Sequence, residues 1–139
     1  MLVVDASVAV KFVVPEPDSD AAEALIAAPY PLVAPDWLLV EVGHALRRKQ
    51  AEEGLDPAKA AVGFATMSDF FDDLRPSREL IAGAYELSAR LDHAIYDCVY
   101  LELAVRERTV LVTVDRKFAS AARRAGLGSS VVLLADYRT

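Results

Sequence analysis

The sequence predicts an α/β fold, a parallel sheet covered by helices on both faces. Three observations point there. Short apolar runs recur at "LVV" (2–4), "TVLVTV" (109–114) and "SVVLLA" (130–135). They are apolar throughout rather than alternating, as strands buried on both faces are. Helix-like segments with their own start and stop residues separate them. A chain of 139 residues, 54% of them apolar, suits one domain spanning 1–139 around one core.

The elements follow in order. Residues 2–4 form a buried strand, and "VAVKFVV" carries the apolar character on to Pro15 and Pro17. "DSDAAEALIAA" reads as a helix with Asp18 or Ser19 as cap. "PYPLVAP" breaks it and holds a short strand at Leu32–Ala34. "DWLLVEVGHALRRKQAEEG" is a helix with Asp36 to cap it, Gly54 to stop it and Glu41 in its middle. "DPAKAAVGFATMSDFF" opens with Asp56 as N-cap and Pro57 at the first helical position. "SRELIAGAYELSARL" and "AIYDCVYLELAVRER" are further helices, the second with Asp97 in its first turn. "TVLVTV" is a strand, "RKFASAARRAG" a helix and "SVVLLA" the last strand.

Composition excludes several classes. No apolar run approaches the ~20 residues of a membrane-spanning helix. An acid stands at position 5, where a secretory signal would be basic, so the expectation is a soluble, cytoplasmic protein. The single cysteine, Cys98, excludes an internal disulfide and a cysteine-based zinc site, and reads as a small core residue. A net charge of −6 argues against indiscriminate nucleic-acid binding. Basic residues nevertheless cluster at Arg47-Arg48-Lys49, Arg116-Lys117 and Arg123-Arg124.

Four carboxylates carry the chemical argument. Asp5 and Asp115 end apolar strand runs, and ligands of open α/β sheets bind beyond the strands' carboxyl ends. Each also suits the cap of the helix that follows. Glu41 lies among Leu38, Val42 and Ala45 at helical spacing, where a carboxylate is costly unless paired or metal-bound. Asp97 sits between Tyr96 and Cys98 on an otherwise apolar helix, where a helix-dipole contact is the plainer role. Four acids converging would repel one another strongly without a cation. Carboxylates without cysteine suit the hard cations Mg²⁺ or Mn²⁺, which work on phosphates.

"VVDASVAVKF", the helical Glu41, "IYDCVYLELA" and "LVTVDRKFA" together resemble PIN-domain ribonucleases, specifically the VapC-type toxins of toxin–antitoxin pairs. The resemblance covers essentially the whole chain, in order and at the right spacings. It implies a three-layer α/β/α sandwich with a central parallel sheet. It makes Asp5, Glu41, Asp97 and Asp115 an acidic quartet for one or two Mg²⁺ or Mn²⁺ ions. Ser7 and Thr113 would help to hold the metal or its waters. The implied activity is endonucleolytic RNA cleavage by a metal-activated water. The implied partners are RNA, a cognate antitoxin and a second copy of the chain, with no membrane.

Other residues are weighed beside the quartet. Lys11 and Arg116 are the candidate phosphate contacts, each set against a solvated or snorkelling side chain. His93, four residues before Asp97, reads as a polar loop residue rather than a ligand. His44 makes a Glu-x-x-His with Glu41, but a di-iron site needs a second copy. Tyr96 and Tyr100 read as packing residues. Two other functions stand as alternatives. One is an Mg-dependent phosphohydrolase on a small substrate; such aspartyl enzymes carry a second acid where Ser7 stands here. The other is a non-catalytic PIN-like binding module, for which loss of an acid would have spoken.

Overall fold

A computed structural model describes residues 1–138. Its strands are β1 (Leu2–Val4), β2 (Leu32–Pro35), β3 (Asp73–Arg75), β4 (Leu111–Thr113) and β5 (Val131–Leu133). They form one sheet in the order β3-β2-β1-β4-β5, with every pairing parallel. The register sets Val3 beside Val33 on one side and Leu111 on the other. Every residue of β1, β2 and β4 is buried, which is why these strands read as unbroken apolar runs.

The helices are α1 (Ala6–Ala9), α2 (Ser19–Ala27), α3 (Leu38–Glu53), α4 (Pro57–Thr66), α5 (Ile81–Leu91), α6 (Ile95–Arg106) and α7 (Arg116–Arg124). Together with the sheet they make the α/β/α sandwich. α6 packs against β1, β2 and β4 and also against α5. It is therefore apolar nearly all round, burying Cys98, Val99, Tyr100, Leu101, Leu103 and Ala104. Cys98 is a core residue, and burial pushes its thiol up to about 11, which leaves it inert. Phe118 of α7 and Leu25 of α2 are among the other large side chains closed off from water. Among the described residues no helix is long and apolar enough to cross a membrane.

Several local expectations are corrected. β3 was not anticipated. It is three residues long with two charges, and it is held by hydrogen bonding instead of burial: Asp72 accepts from Leu32 N–H at 2.9 Å, and Asp36 N–H donates to Arg75 O at 2.8 Å. Asp36 does not cap α3. Its carboxylate accepts from the Ser77 hydroxyl at 2.5 Å and the Ser77 N–H at 3.0 Å, while Ser77 Oγ accepts from Trp37 N–H at 2.9 Å. The α3 N-terminus is thus satisfied by a residue from the far side of β3. Trp37 is the cap position, so Glu41 falls in the first turn of α3, not its middle. Neither Asp18 nor Ser19 caps α2 through its side chain: Asp18 takes a left-handed conformation, and the Ser19 hydroxyl accepts from Glu16 N–H.

The other end signals act as read. Asp56 accepts from Lys59 N–H at 3.2 Å, with Pro57 opening α4. Gly54 ends α3 at φ 68°, with its N–H donating to Lys49 O. A Cβ there meets no neighbour, so the cost of replacement is conformational alone. Gly54→Ala is expected to lower stability by about 1 kcal/mol, read from the urea midpoint at constant slope.

Candidate active site

The strand order reverses between β1 and β4: the chain moves outward through β2 and β3 on one side, then through β5 on the other. This is the switch point at which open α/β sheets leave a crevice beyond their strands. Asp5 follows the end of β1 directly, and Asp115 lies two residues beyond β4. Both flank the crevice.

Each is at once a helix cap and a candidate site acid. Asp5 Oδ1 accepts from Val8 N–H at 3.1 Å, and Asp115 Oδ1 accepts from Phe118 N–H at 2.9 Å. Capping uses one oxygen and fixes the rotamer of the other. The hydroxyls predicted to assist lock the two strand ends together. Ser7 Oγ donates to Asp5 Oδ1 at 2.5 Å and accepts from Val114 N–H at 3.3 Å. Thr113 Oγ1, fully buried, accepts from Asp115 N–H at 3.1 Å, and its hydroxyl lies close enough to Asp5 to favour the ionised carboxyl.

Glu41 and Asp97 approach from the first turns of α3 and α6. Trp37 Nε1 donates to Glu41 Oε1 at 2.6 Å, one helical turn away. His93 Nε2 lies 2.6 Å from Asp97 Oδ2. The histidine is no free loop residue: its ring lies 4.7 Å from that of Phe118, tilted by 44°, and His93, Asp97 and Asp115 bring ligand atoms within 4.8 Å of one another. All four acids therefore stand at helix N-termini, where unpaired N–H groups favour negative charge.

The charges are mutually felt. Burial, with the Asp97 charge a lesser contributor, raises Asp5 from 3.8 to about 6 against the opposing hydrogen bonds. Burial also raises Glu41 to about 7, aided by Asp97 and Asp5. Asp97 is raised by burial and by Asp115, against the opposing pull of His93. Among the described residues no lysine or arginine is ion-paired with any of the four. Glu41 thus has no basic ion-pair partner among the described residues. Carboxylate oxygens with no lysine or arginine partner, partly closed to water, fit a hard divalent cation, and the group whose ligand atoms lie within 4.8 Å of one another adds the His93 nitrogen to Asp97 and Asp115.

Glu41 and Asp97 open into a groove of about 740 Å³, lined also by Ser7, Lys11, Trp37, Val40, Tyr96 and Val114; Asp5 and Asp115 lie behind its lining. Lys11 lines it but is no free cation. Its ammonium meets Glu16 Oε2 at 3.0 Å and Pro17 O at 2.8 Å, and Glu16 also pairs with Lys49. Arg116 is exposed at the start of α7 and belongs to no ion pair among the described residues. His44 is exposed on the groove wall, with no second Glu-x-x-His opposite it. Tyr100 is a packing residue, fully buried. Its hydroxyl has no hydrogen-bond partner, and burial and the Glu41 charge hold it far above the usual phenol range. Tyr96 is not a packing residue: it is 56% exposed and stacked on Trp37. Trp37 is the neighbour of the candidate acids that sequence reasoning passed over, and His93 is the one it set aside as a polar loop residue. Their i, i+4 spacing to Glu41 and Asp97 was the available signal.

A family model, the PIN domain, matches residues 2–124. Ribonuclease VapC3 of Pyrobaculum aerophilum is 29% identical over 120 residues, which is 85% of this chain and 92% of that protein. The crystal structure of PAE2754 from Pyrobaculum aerophilum superposes with a TM-score of 0.69 at 20% identity, over 96% of this chain and 89% of that one. FitAcB from Neisseria gonorrhoeae gives 0.72 at 15% identity, over 99% and 100%. At these identities the two structures speak for the fold.

The raised carboxyls make a pH prediction. Below about pH 3 both folded and unfolded chains are protonated at Asp5 and Glu41. As pH rises towards 7 the unfolded chain ionises first, and stability falls; above the folded values the loss is complete. For Asp5 the rise from 3.8 to about 6 corresponds to a loss on the order of 3 kcal/mol. Urea titrations of metal-free protein at about pH 4.5 and about pH 7.5, both within reach of the folded protein and spanning most of the window, are expected to show lower stability at the higher pH.

Proposed function

Because this chain belongs to the PIN domain family, we propose that it is a metal-dependent RNA endonuclease, the toxin of a type II toxin–antitoxin pair. The observation that carries the reading is the approach of Asp5, Glu41, Asp97 and Asp115 to one another from four helix N-termini, close enough for their charges to interact, with no lysine or arginine ion-paired with any of them among the described residues. The relative named as a ribonuclease supports it.

In this reading Asp5, Asp97, Glu41 and Asp115 hold Mg²⁺ or Mn²⁺. When bound, the cation supplies Lewis acidity towards a water and the phosphodiester. The chain supplies the rest. Ser7 and Thr113 keep the Asp5 and Asp115 carboxylates in register across the β1–β4 seam. His93 orients Asp97 as outer groups orient metal-binding side chains. Trp37 holds one oxygen of Glu41 and leaves the other free to reach the cation. The helix N-termini favour the phosphate as they favour the acids. Arg116, beside Asp115, is the candidate phosphate contact; Lys11 is engaged with Glu16 and serves the groove wall. The protein acts in the cytoplasm, as a homodimer, and is silenced by an antitoxin segment laid across the groove with a basic side chain reaching the acids.

The test is cleavage of total cellular RNA by purified, antitoxin-free protein, with Mg²⁺ or Mn²⁺ against chelator. Discrete fragments that need the metal are expected. Asp97→Asn should keep the fold, lose cleavage below detection and melt higher in metal-free buffer, because it removes one of the repelling charges. Unchanged cleavage would take Asp97 out of the site. Arg116→Ala should weaken RNA binding modestly and lower the salt slope by about one phosphate's share, measured by titration at several salt concentrations.

A further inference from the structure

We propose that Trp37 and Tyr96 form a stacking platform that receives a nucleobase of single-stranded RNA beside the cleavage site. The proposal rests on the nuclease reading above and deepens it.

The two rings lie 5.9 Å apart with 10° between their planes. Tyr96 is 56% exposed, so much of the phenol ring beside Trp37 is open to water. The core does not account for an aromatic ring placed so. Both residues belong to the same groove as the acids and are tied to them by chain or bond. Tyr96 immediately precedes Asp97, and Trp37 donates to Glu41 at 2.6 Å. Whatever holds the carboxylates in place also holds the rings.

The α3 side of the groove extends the platform. Trp37, Glu41, His44 and Arg48 recur at helical spacing along it, a stripe roughly 16 Å long. An aromatic ring, an acid, an imidazole and a guanidinium in that order suit a strand whose base stacks at one end and whose phosphates continue towards the other. Arg48 is exposed, while Lys49 beside it is paired with Glu16. The charge balance favours this division. A chain of net charge −6 draws little affinity from phosphate attraction. Stacking is charge-neutral and tolerant of base identity, and supplies what electrostatics cannot. A paired duplex hides its base faces, so the platform selects single-stranded or splayed RNA.

Trp37 is the chain's one tryptophan, so its fluorescence reports the platform directly. The probes are a random-sequence pool of short single-stranded RNA and an abasic ribose-phosphate oligomer of equal length. They are titrated in Mg²⁺ against cleavage-deficient Asp5→Asn, and in chelator against the unmutated chain. The RNA pool is expected to quench Trp37. The abasic oligomer, and Tyr96→Ala with the pool, should each bind roughly 5- to 150-fold more weakly. Tyr96→Phe should restore binding, and the salt slope of Tyr96→Ala should match that of the unmutated chain, because its phosphate contacts remain. On a cleaved RNA, Tyr96→Ala should raise KM more than it lowers kcat.

Equal binding and quenching by the abasic oligomer, or unchanged affinity in Tyr96→Ala, overturns the proposal. So does quenching by arginine-containing peptides with none by RNA, which would make the pair a face for a protein partner. The two readings fail separately. Metal-dependent cleavage with KM unmoved by Tyr96→Ala removes the platform alone. Absence of metal-dependent cleavage in the unmutated protein removes the nuclease.

Discussion

Repulsion among four partly buried carboxylates is the constraint around which this protein is arranged. Asp5, Glu41 and Asp97 are each raised by the charge of at least one other acid, Asp115 acting on Asp97, and no lysine or arginine is ion-paired with the four among the described residues. The fold tolerates this through geometry. Every acid sits at the start of a helix, where unpaired N–H groups and the helix dipole offset part of the cost. The remainder of the charge is what a divalent cation would neutralise. Tolerance and function therefore share one cause: the fold keeps the acids together and leaves them short of positive charge.

The sheet makes that arrangement possible. β1 lies at the centre, and the chain leaves it in opposite directions, so the crevice opens between β1 and β4. Asp5 and Asp115 flank that crevice because parallel strands deliver their ends to one edge. Ser7 stitches the two ends by accepting from Val114 N–H at 3.3 Å, while Thr113 accepts from Asp115 N–H at 3.1 Å on its own strand end and sets its hydroxyl beside Asp5. Glu41 and Asp97 arrive on helices instead, and each is steadied by an aromatic or imidazole neighbour one turn earlier. Two acids are thus held by capping, and two by side-chain tethers.

The groove also reconciles an acidic chain with an acidic ligand. Lys11 and Lys49 face Glu16 and so add little free positive charge. Contact with RNA must then rest on a bound cation, a few exposed arginines and neutral surfaces. Such a balance favours a narrow choice of RNA over general affinity, since each contributor acts at short range.

Much of this was legible locally. Buried strands announce themselves as unbroken apolar runs, and the caps at Asp56, Pro57 and Gly54 concern residues within a few positions of one another. The four acids stood out because carboxylates are costly where these lie, and their order along the chain matched a family pattern. The sequence by itself thus determined the fold class, most element types and the identity of the acids. Tertiary structure decided the rest. β3 carries no apolar pattern and exists through its bonds to β2. Asp36 turned from a cap into a partner of Ser77, a residue brought near only by the sheet. Lys11 was drawn to Glu16, and Tyr96 was set on Trp37 instead of in the core. Hydrogen bonds and stacking between chain-distant residues leave no periodicity to read, because their free energy depends on positions that only the folded chain defines.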